Sequence, residues 1–295
     1  MPELRTDPLT GLRTIVAGER ATRPGGEMRA EAQPPLDPEA DPFLEGHEDR
    51  TPPELFALRP NGGAADGPGW TVRVVPNLYP ALATGTGDDG AGAPDPLAAG
   101  RGEPQLFPAR PAAGAHEVIV NEGRPAGASL PHSHAQLYAL GFVPAAVARE
   151  RERFTAYSDR TQGRNLLEDL LQEEVRRRER VVAIDRDAVA ICPFASRTPF
   201  QVQLIPRRPR ARFEDEGPLP AALLLDVLRR LEAVLGAVPP FNLWVRTAPA
   251  GAERFCWRID LVPRLTNLAG LELGTGVNLN VMPPELAAER LRDAG

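Results

Sequence analysis

Two histidines that lie one residue apart form the part of this sequence best suited to chemistry. His132 and His134 belong to the stretch HSHAQ, behind a loop of Gly, Ala, Ser and Pro. The chain has four histidines in all, so half of them fall in this one motif. An imidazole pair can hold a metal ion, pack against neighbouring side chains or attack an electrophile. The spacing alone leaves these three interpretations open.

The motif is suited to the start of a β-strand. Successive side chains of a strand point to opposite faces, so His132, His134 and Gln136 would share one face. Ala135 would point away, and Tyr138 would follow on the face of the histidines. Such a strand presents two imidazoles and a carboxamide on one surface.

The loop before the histidines is suited to an anion. Gly123 and Gly127 allow a close approach, and Ser129 offers an O–H donor. A neutral imidazole can attack phosphorus without first losing a proton, and the phosphoramidate that forms can pass its group on. The stretch is therefore compatible with covalent phosphoryl chemistry in two steps.

The composition excludes several classes of site and partner. The chain contains no lysine, so all 34 basic residues are arginine, and a Schiff-base lysine or a P-loop lysine is excluded. A net charge of −6 argues against broad binding to nucleic acid or to membranes. The N-terminal stretch lacks the apolar core of a signal peptide, and Cys192 and Cys256 show neither zinc spacing nor a disulfide framework. We expect a cytoplasmic protein with both cysteines buried.

Short extended segments dominate the pattern, with a few helices between them. Alternating apolar residues predict strands such as 116–120, 134–142 and 241–246, and a helical period predicts helices such as 165–180 and 219–235. This pattern favours an α+β fold with a mainly antiparallel sheet and flanking helices in each half. We expect a loop-rich N-terminal half over 1–160, which carries the histidine motif, and a C-terminal half over 161–295.

Five stretches, in order along most of the chain, carry a resemblance to a known family. They are DPLTGLRTIVAGERATRP, FLEGHEDRTPPE, VRVVPNLYPAL, NEGRPAGASLPHSHAQ, and PRLTNLAGLELGTG with the later ELAAERLR. Together they resemble the galactose-1-phosphate uridylyltransferases of the histidine-triad superfamily. The resemblance implies two histidine-triad-like halves and a homodimer.

The resemblance also implies a role for individual residues. His134 matches the nucleophile that carries the uridylyl group, and Gln136 matches a glutamine that contacts the phosphoryl group. The implied nucleotide- and phosphate-binding residues are Arg20, Arg23, Asn77, Asn121 and Ser129. Glu272 matches a sugar-binding glutamate that acts across the dimer interface.

Each of these residues also has a purely structural interpretation. Asn77 and Asn121 are common turn residues, and Arg20 and Arg23 can be solvated surface charges. Glu272 lies between two glycines and can serve a tight turn. Their joint occurrence in the family order is what favours the functional interpretation.

The sequence departs from the family pattern in its metal ligands. The segment Asp41-Pro-Phe-Leu44 stands where many family members have two zinc-binding cysteines. Asp41, His47, His116 and His132 could supply oxygen and nitrogen ligands instead, so zinc stays open and His132 would be its ligand only if zinc is retained. No histidine follows His134, and the second-half strand of the family reads Phe255-Cys-Trp-Arg258, which argues against a second metal site.

The first half also lacks a segment. In the family, a helix and a further strand follow a strand like HEVIV, whereas here Val120 runs directly into Asn121. The loss predicts an uncovered sheet edge and exposed apolar surface unless another segment covers them.

The expected activity is transfer of UMP between a UDP-hexose and hexose 1-phosphate through a nucleotidyl-histidine at His134. A nucleotide-sugar phosphorylase or hydrolase is the alternative within the same superfamily. A non-catalytic nucleotide-binding protein is the alternative from a different class.

Overall fold

A computed structural model of the chain describes residues 1–22, 28–30, 37–82, 114–121, 134–215 and 220–295. Arg23, Ser129 and His132 lie outside these residues, so their predicted roles are not addressed by the structure. The strand that contains Asn121 is described, but the side chain of Asn121 is not.

The regular elements are short and alternate along the chain. In order they are β1 (Glu3–Thr6), β2 (Arg13–Val16), β3 (Phe56–Leu58), β4 (Val72–Pro76), β5 (Gly114–Asn121), β6 (His134–Leu140), α1 (Ala145–Arg160), α2 (Leu166–Arg177), β7 (Val181–Ile184), β8 (Ala188–Ile191), β9 (Val202–Pro206), α3 (Ala221–Leu235), β10 (Phe241–Arg246), β11 (Arg258–Pro263), α4 (Gly270–Thr275), β12 (Asn278–Asn280) and α5 (Pro284–Asp293). Within the described residues, no helix is long and apolar enough to cross a membrane.

The strands form three sheets. The order is β3-β4-β5-β6 in one sheet and β10-β11-β9-β8-β7 in another, and the neighbours in both pair antiparallel. A third sheet has the order β1-β2-β12, in which β12 runs parallel to β2. The predicted α+β fold with mainly antiparallel sheets is confirmed.

The chain divides into two compact units. The first consists of residues 1–33 and 145–295, and the second of residues 34–144. We call them the larger unit and the smaller unit. The bounds of these units differ from those of the predicted halves, 1–160 and 161–295. The division into these two halves as domains stays a prediction.

The larger unit is built around two buried apolar clusters. One lies between α3, α5 and the five-stranded sheet and includes Leu204, Leu231, Trp257 and Leu291. The other includes Phe154 of α1 and Leu167 of α2. The cysteines Cys192 and Cys256 are both buried, as predicted, and neither forms a disulfide with a described residue.

Helix α2 illustrates how local sequence fixes an element. The side chain of Asn165 accepts hydrogen bonds from the N–H groups of Leu167 and Glu168, which would otherwise have no partner at a helix start. The helix ends before Arg178, which adopts a left-handed conformation with φ of 59°. Its leucine stripe is buried in the second cluster.

The two faces of the four-stranded sheet in the smaller unit differ. One face carries Val75 and Val118, which pack with Trp70 in a small buried cluster. The opposite face leaves large apolar side chains exposed, among them Phe56 at 58% and Leu137 at 44%. The predicted exposure of apolar surface in the first half is therefore observed.

A network of charged side chains centres on Glu54, which lies before β3 in the smaller unit. It includes Arg59, which follows β3, and Arg73 of β4. Arg59 donates to both carboxylate oxygens of Glu54 at 2.8 Å, and Arg73 Nε donates to Oε2 at 3.2 Å. Arg73 also pairs with Asp66 at 2.8 Å. The bond from Arg59, helped by Arg73 and opposed by burial, lowers the pKa of Glu54 from 4.5 to about 2.

Glu54→Gln is expected to lower the free energy of unfolding by about 2 kcal/mol near neutral pH, because charged hydrogen bonds to two arginines are lost. Because the pKa of the Glu54 carboxyl is lower in the folded state, its ion pairs stabilise the fold fully only at pH values above the pKa of Glu54 in the unfolded chain, 4.5. The difference between wild type and variant should therefore shrink as pH falls from 4.5 towards 2. Calorimetric unfolding over that range checks the prediction.

Glu39→Gln is the matched control, since the exposed Glu39 side chain forms no ion pair with a described residue. A Glu54→Gln protein that unfolds like this control at every pH would contradict the assigned role.

Candidate active site

The predicted nucleophile stands at the first described residue of β6. In the antiparallel pair β5·β6, His134 lies opposite Val120, Gln136 opposite Val118, and Tyr138 opposite His116. Alternation along the strand places His134, Gln136 and Tyr138 on one face. The predicted common face is thus observed for these three residues.

His116 and Tyr138 both contact the side chain of Gln136. The two rings stack with centroids 4.1 Å apart and an interplanar angle of 22°. The Tyr138 hydroxyl donates to Gln136 Oε1 at 2.6 Å, and His116 Nε2 lies 3.2 Å from the same oxygen. The carbonyl end of this carboxamide is therefore held by two neighbours.

Both ring nitrogens of His116 have hydrogen-bonding neighbours. The backbone N–H of Ala81 donates to His116 Nδ1 at 3.1 Å. Nδ1 therefore acts as an acceptor, while Nε2 lies between Gln136 Oε1 at 3.2 Å and Asn77 Nδ2 at 3.1 Å.

The carboxamide of Gln136 is consequently fixed in one orientation. Both observed contacts occupy Oε1, and the NH2 group donates to no described residue. The Gln136 side chain is exposed on this face. The NH2 group is thus positioned to donate to an anionic ligand near His134.

Asn77, predicted for the nucleotide site, lies beside this network. Its Nδ2 is 3.1 Å from His116 Nε2, and its Oδ1 accepts from the backbone N–H of Tyr79 at 2.8 Å. The turn at Tyr79 is the structural role expected of an asparagine here. The same residue also touches the ring that holds Gln136.

The ring of His134 lies against Phe43. The centroids are 5.4 Å apart and the planes are tilted by 50°. His134 is half-buried, so one part of the ring is packed and another reaches the surface. An aromatic neighbour limits the orientations of the imidazole, which favours a fixed direction of attack.

Two of the predicted site residues belong to the larger unit. Arg20 lies in a 3-10 helix over Gly18–Thr22 and is exposed. Glu272 lies in the first turn of α4, where its carboxylate accepts from the Ala269 N–H at 3.0 Å. Its own backbone N–H and that of Ala269 lower the pKa of Glu272, so this carboxylate has a role in its own turn.

Of the four residues raised as zinc ligands, the structure describes Asp41, His47 and His116, while His132 lies outside the described residues. His47 Nδ1 lies 2.7 Å from the Asp41 backbone oxygen, and both ring nitrogens of His116 have hydrogen-bonding neighbours. Among the residues that the structure covers, no three His, Cys, Asp or Glu side chains are grouped as metal ligands. We derive no catalytic step through a metal.

On the strand where the family has its second histidine-rich segment, arginine and aspartate form ion pairs. Arg258 of β11 lies 3.0 Å from Glu150 Oε2 and 3.0 Å from Asp260 Oδ2, and all three side chains are buried. Phe255 and Trp257 are core residues.

A family model described as a domain of unknown function, DUF4921, matches residues 102–294. The chain belongs to the DUF4921 family. The predicted resemblance to galactose-1-phosphate uridylyltransferases is confirmed, since these enzymes and an ADP-glucose phosphorylase are among its relatives.

The ADP-glucose phosphorylase of Arabidopsis thaliana is 28% identical over 337 aligned positions, which take in 99% of this chain and 93% of the relative. The alignment is longer than the 295-residue chain, so the relative carries segments that this family member lacks. A galactose-1-phosphate uridylyltransferase of Neurospora crassa is 30% identical over 61% of the chain and 50% of its own length. The chain spans about half the length of the uridylyltransferases that it matches.

Solved structures share the fold along the whole chain. A crystal structure of the Arabidopsis thaliana ADP-glucose phosphorylase with bound ADP-glucose gives a TM-score of 0.76 at 24% identity and covers 99% of this chain and 98% of that one. A uridylyltransferase structure gives a TM-score of 0.67 at 22% identity, with 100% and 98% covered. The family member described here therefore has the uridylyltransferase-like fold.

Proposed function

We propose that the protein is a nucleotidyl transferase that acts on a nucleotide-sugar through a covalent nucleotidyl-His134 intermediate. The observation that carries the proposal is the shared face of His134 and Gln136 on β6, with the carboxamide fixed by His116 and Tyr138. A nucleophile beside an oriented donor is what phosphoryl transfer requires.

The first step forms a bond between an imidazole nitrogen of His134 and the α-phosphorus of the nucleotide-sugar. The bond from that phosphorus to the bridging oxygen breaks, and hexose 1-phosphate leaves with the electron pair. In the second step an acceptor oxygen attacks the same phosphorus, the P–N bond breaks, and His134 is regenerated. A neutral imidazole needs no base for the attack.

Gln136 stabilises the phosphoryl oxygens as the reaction proceeds. Its NH2 group donates to an oxygen whose negative charge grows in the transition state, where such a contact accelerates most. We propose that Asn121, Ser129, Arg20, Arg23 and Asn77 contribute further contacts to the phosphates or the nucleotide.

Glu272 is proposed to bind the sugar in a homodimer. Light scattering of the purified protein tests the dimer, and Glu272→Gln should raise the KM for the sugar substrate.

We propose inorganic phosphate as the acceptor. The relative named as an ADP-glucose phosphorylase is similar over 99% of the chain, whereas the uridylyltransferases match about 60% of it. Transfer of UMP from a UDP-hexose to hexose 1-phosphate is the second candidate, supported by the number of uridylyltransferase relatives.

Product analysis separates the candidates. The protein is incubated with ADP-glucose or UDP-glucose, and inorganic phosphate, labelled glucose 1-phosphate or galactose 1-phosphate is added. Consumption of phosphate with release of a nucleoside diphosphate supports the phosphorylase. Label that enters the nucleotide-sugar without added phosphate supports the half-reaction through His134. Turnover only in the presence of galactose 1-phosphate would favour the transferase.

Tyr138→Phe is expected to lower kcat by about fivefold, because one neutral hydrogen bond to Gln136 is lost while His116 remains. The KM for the nucleotide-sugar should hardly change, since Tyr138 acts through Gln136. Steady-state kinetics measure both constants. A loss in kcat as large as that of Gln136→Ala would show that Tyr138 acts on the substrate itself.

A further inference from the structure

The larger unit contains a cavity of about 290 Å³ that the proposed reaction does not use. Its lining comes from the N-terminal segment, the start of α1, the loop between β8 and β9, and the strands β9, β10 and β11. All of these elements belong to the larger unit. Its volume is at the small end of the range for ligand pockets.

A buried and balanced charge network forms one wall. Arg258 donates to both carboxylate oxygens of Glu150, at 3.0 Å and 3.2 Å, and Arg246 pairs with the same carboxylate at 3.3 Å. Asp260 pairs with Arg258 and accepts from Gln203 Nε2 at 2.7 Å. Two arginines therefore offset two carboxylates in this wall.

Two further arginines line the cavity, against one further carboxylate, that of Asp7. Arg197 and Arg149 border the space, and within the described residues neither forms an ion pair. Arg197 is half-buried with its guanidinium 5.6 Å from the centre of the Trp244 ring. The carboxylate of Asp7 accepts from Leu9 N and from the Thr10 hydroxyl and keeps its charge. The lining as a whole carries four arginines and three carboxylates, which leaves a net positive charge.

The walls of the cavity and the N-terminal end of α1 also present hydrogen-bond donors. Arg246 Nε is buried and lies 3.3 Å from Glu150 Oε1, without an aligned hydrogen bond in the part of the chain that the structure describes. Gln201 uses its Oε1 to accept from the Arg197 N–H at 2.8 Å, which leaves its NH2 group available. The first turn of α1 carries no acidic residue, so its N–H groups add positive potential to the same space.

We propose that this cavity is a second ligand site that takes a small oxyanion, with Arg197 and Arg149 as its main contacts. Guanidinium groups bind phosphate and carboxylate with two parallel hydrogen bonds, and both oxyanions fit the volume. The site lies in the larger unit, so the inference goes beyond the proposed reaction and does not depend on it.

Calorimetric titration tests the site, with inorganic phosphate, glucose 1-phosphate and gluconate as probes. It is done on the wild type and on the His134→Ala, Gln136→Ala double variant, which removes the proposed reaction. At least one probe should bind the double variant saturably. Phosphate and gluconate together distinguish a preference for phosphate from a preference for carboxylate.

Single variants then locate the binding. Arg197→Gln should weaken the affinity by about tenfold or more, and Arg149→Gln by several-fold. Arg186→Gln is the matched control, because it removes the same charge from a side chain that is 95% exposed and lies outside the cavity. Its affinity should equal that of the wild type.

Two results would overturn the inference. One is the absence of saturable heat in the double variant for all three probes up to about 10 mM, where millimolar binding would saturate. The other is equal affinity in Arg197→Gln, Arg149→Gln and the wild type. Arg149 is exposed, so this variant should fold even if Arg197→Gln does not.

Discussion

His134→Ala is expected to lower the rate of nucleotidyl transfer by at least about 10⁴-fold, because removal of a covalent nucleophile leaves only binding and electrostatic contributions. The packing of Phe43 against the ring is a small part of the smaller unit, so the variant should still fold. Steady-state turnover and thermal unfolding are measured together.

His47→Ala is the control for the loss of an imidazole elsewhere in the same unit. Its Nδ1 contacts the Asp41 backbone oxygen and takes no part in the proposed chemistry. We expect it to keep most of the wild-type rate. A His134→Ala protein that turns over at the rate of this control would contradict the nucleophile.

Gln136→Ala is expected to lower kcat by about 10²- to 10³-fold, as the loss of one oriented donor to a transition-state oxyanion does. Because the donor acts mainly as charge develops, KM should change little. Gln136→Glu is the sharper variant. It keeps the shape of the side chain and replaces the NH2 group by an oxygen.

Gln136→Glu should therefore be at least as slow as Gln136→Ala. A carboxylate that restored activity would mean that the substrate needs an acceptor at this position. A rise in KM with unchanged kcat in either variant would assign Gln136 to ground-state binding instead.

Much of the fold follows from local sequence patterns. The strand 241–246 has the predicted bounds, and α3 spans 221–235 where 219–235 was predicted. The helical period of α3 is clear because the face that it buries is apolar throughout. The three-residue strands β3 and β12 are too short to show alternation, and pairing with neighbours defines them.

Helix α4 and the candidate site show a second limit of sequence. Two glycines in α4 hide its helical propensity, and the helix forms with Glu272 accepting from the Ala269 N–H. The common face of His134, Gln136 and Tyr138 follows from alternation within a single strand.

The contact of His116 with Gln136 depends on the register between β5 and β6, which only the assembled sheet provides. The sequence suggested His116 only as a metal ligand. The ion pair between Arg258 and Glu150 joins residues more than a hundred positions apart. Neither the pattern around Arg258 nor the one around Glu150 predicts it.

The measurement that tests the central claim most directly is the intact mass of the protein after incubation with ADP-glucose or UDP-glucose and no acceptor. The account predicts a gain of one nucleotidyl group on the wild type, none on His134→Ala, and loss of the adduct when phosphate or hexose 1-phosphate is added. An unmodified wild type that binds the nucleotide-sugar without forming an adduct, or an adduct that persists in His134→Ala, would contradict the covalent histidine.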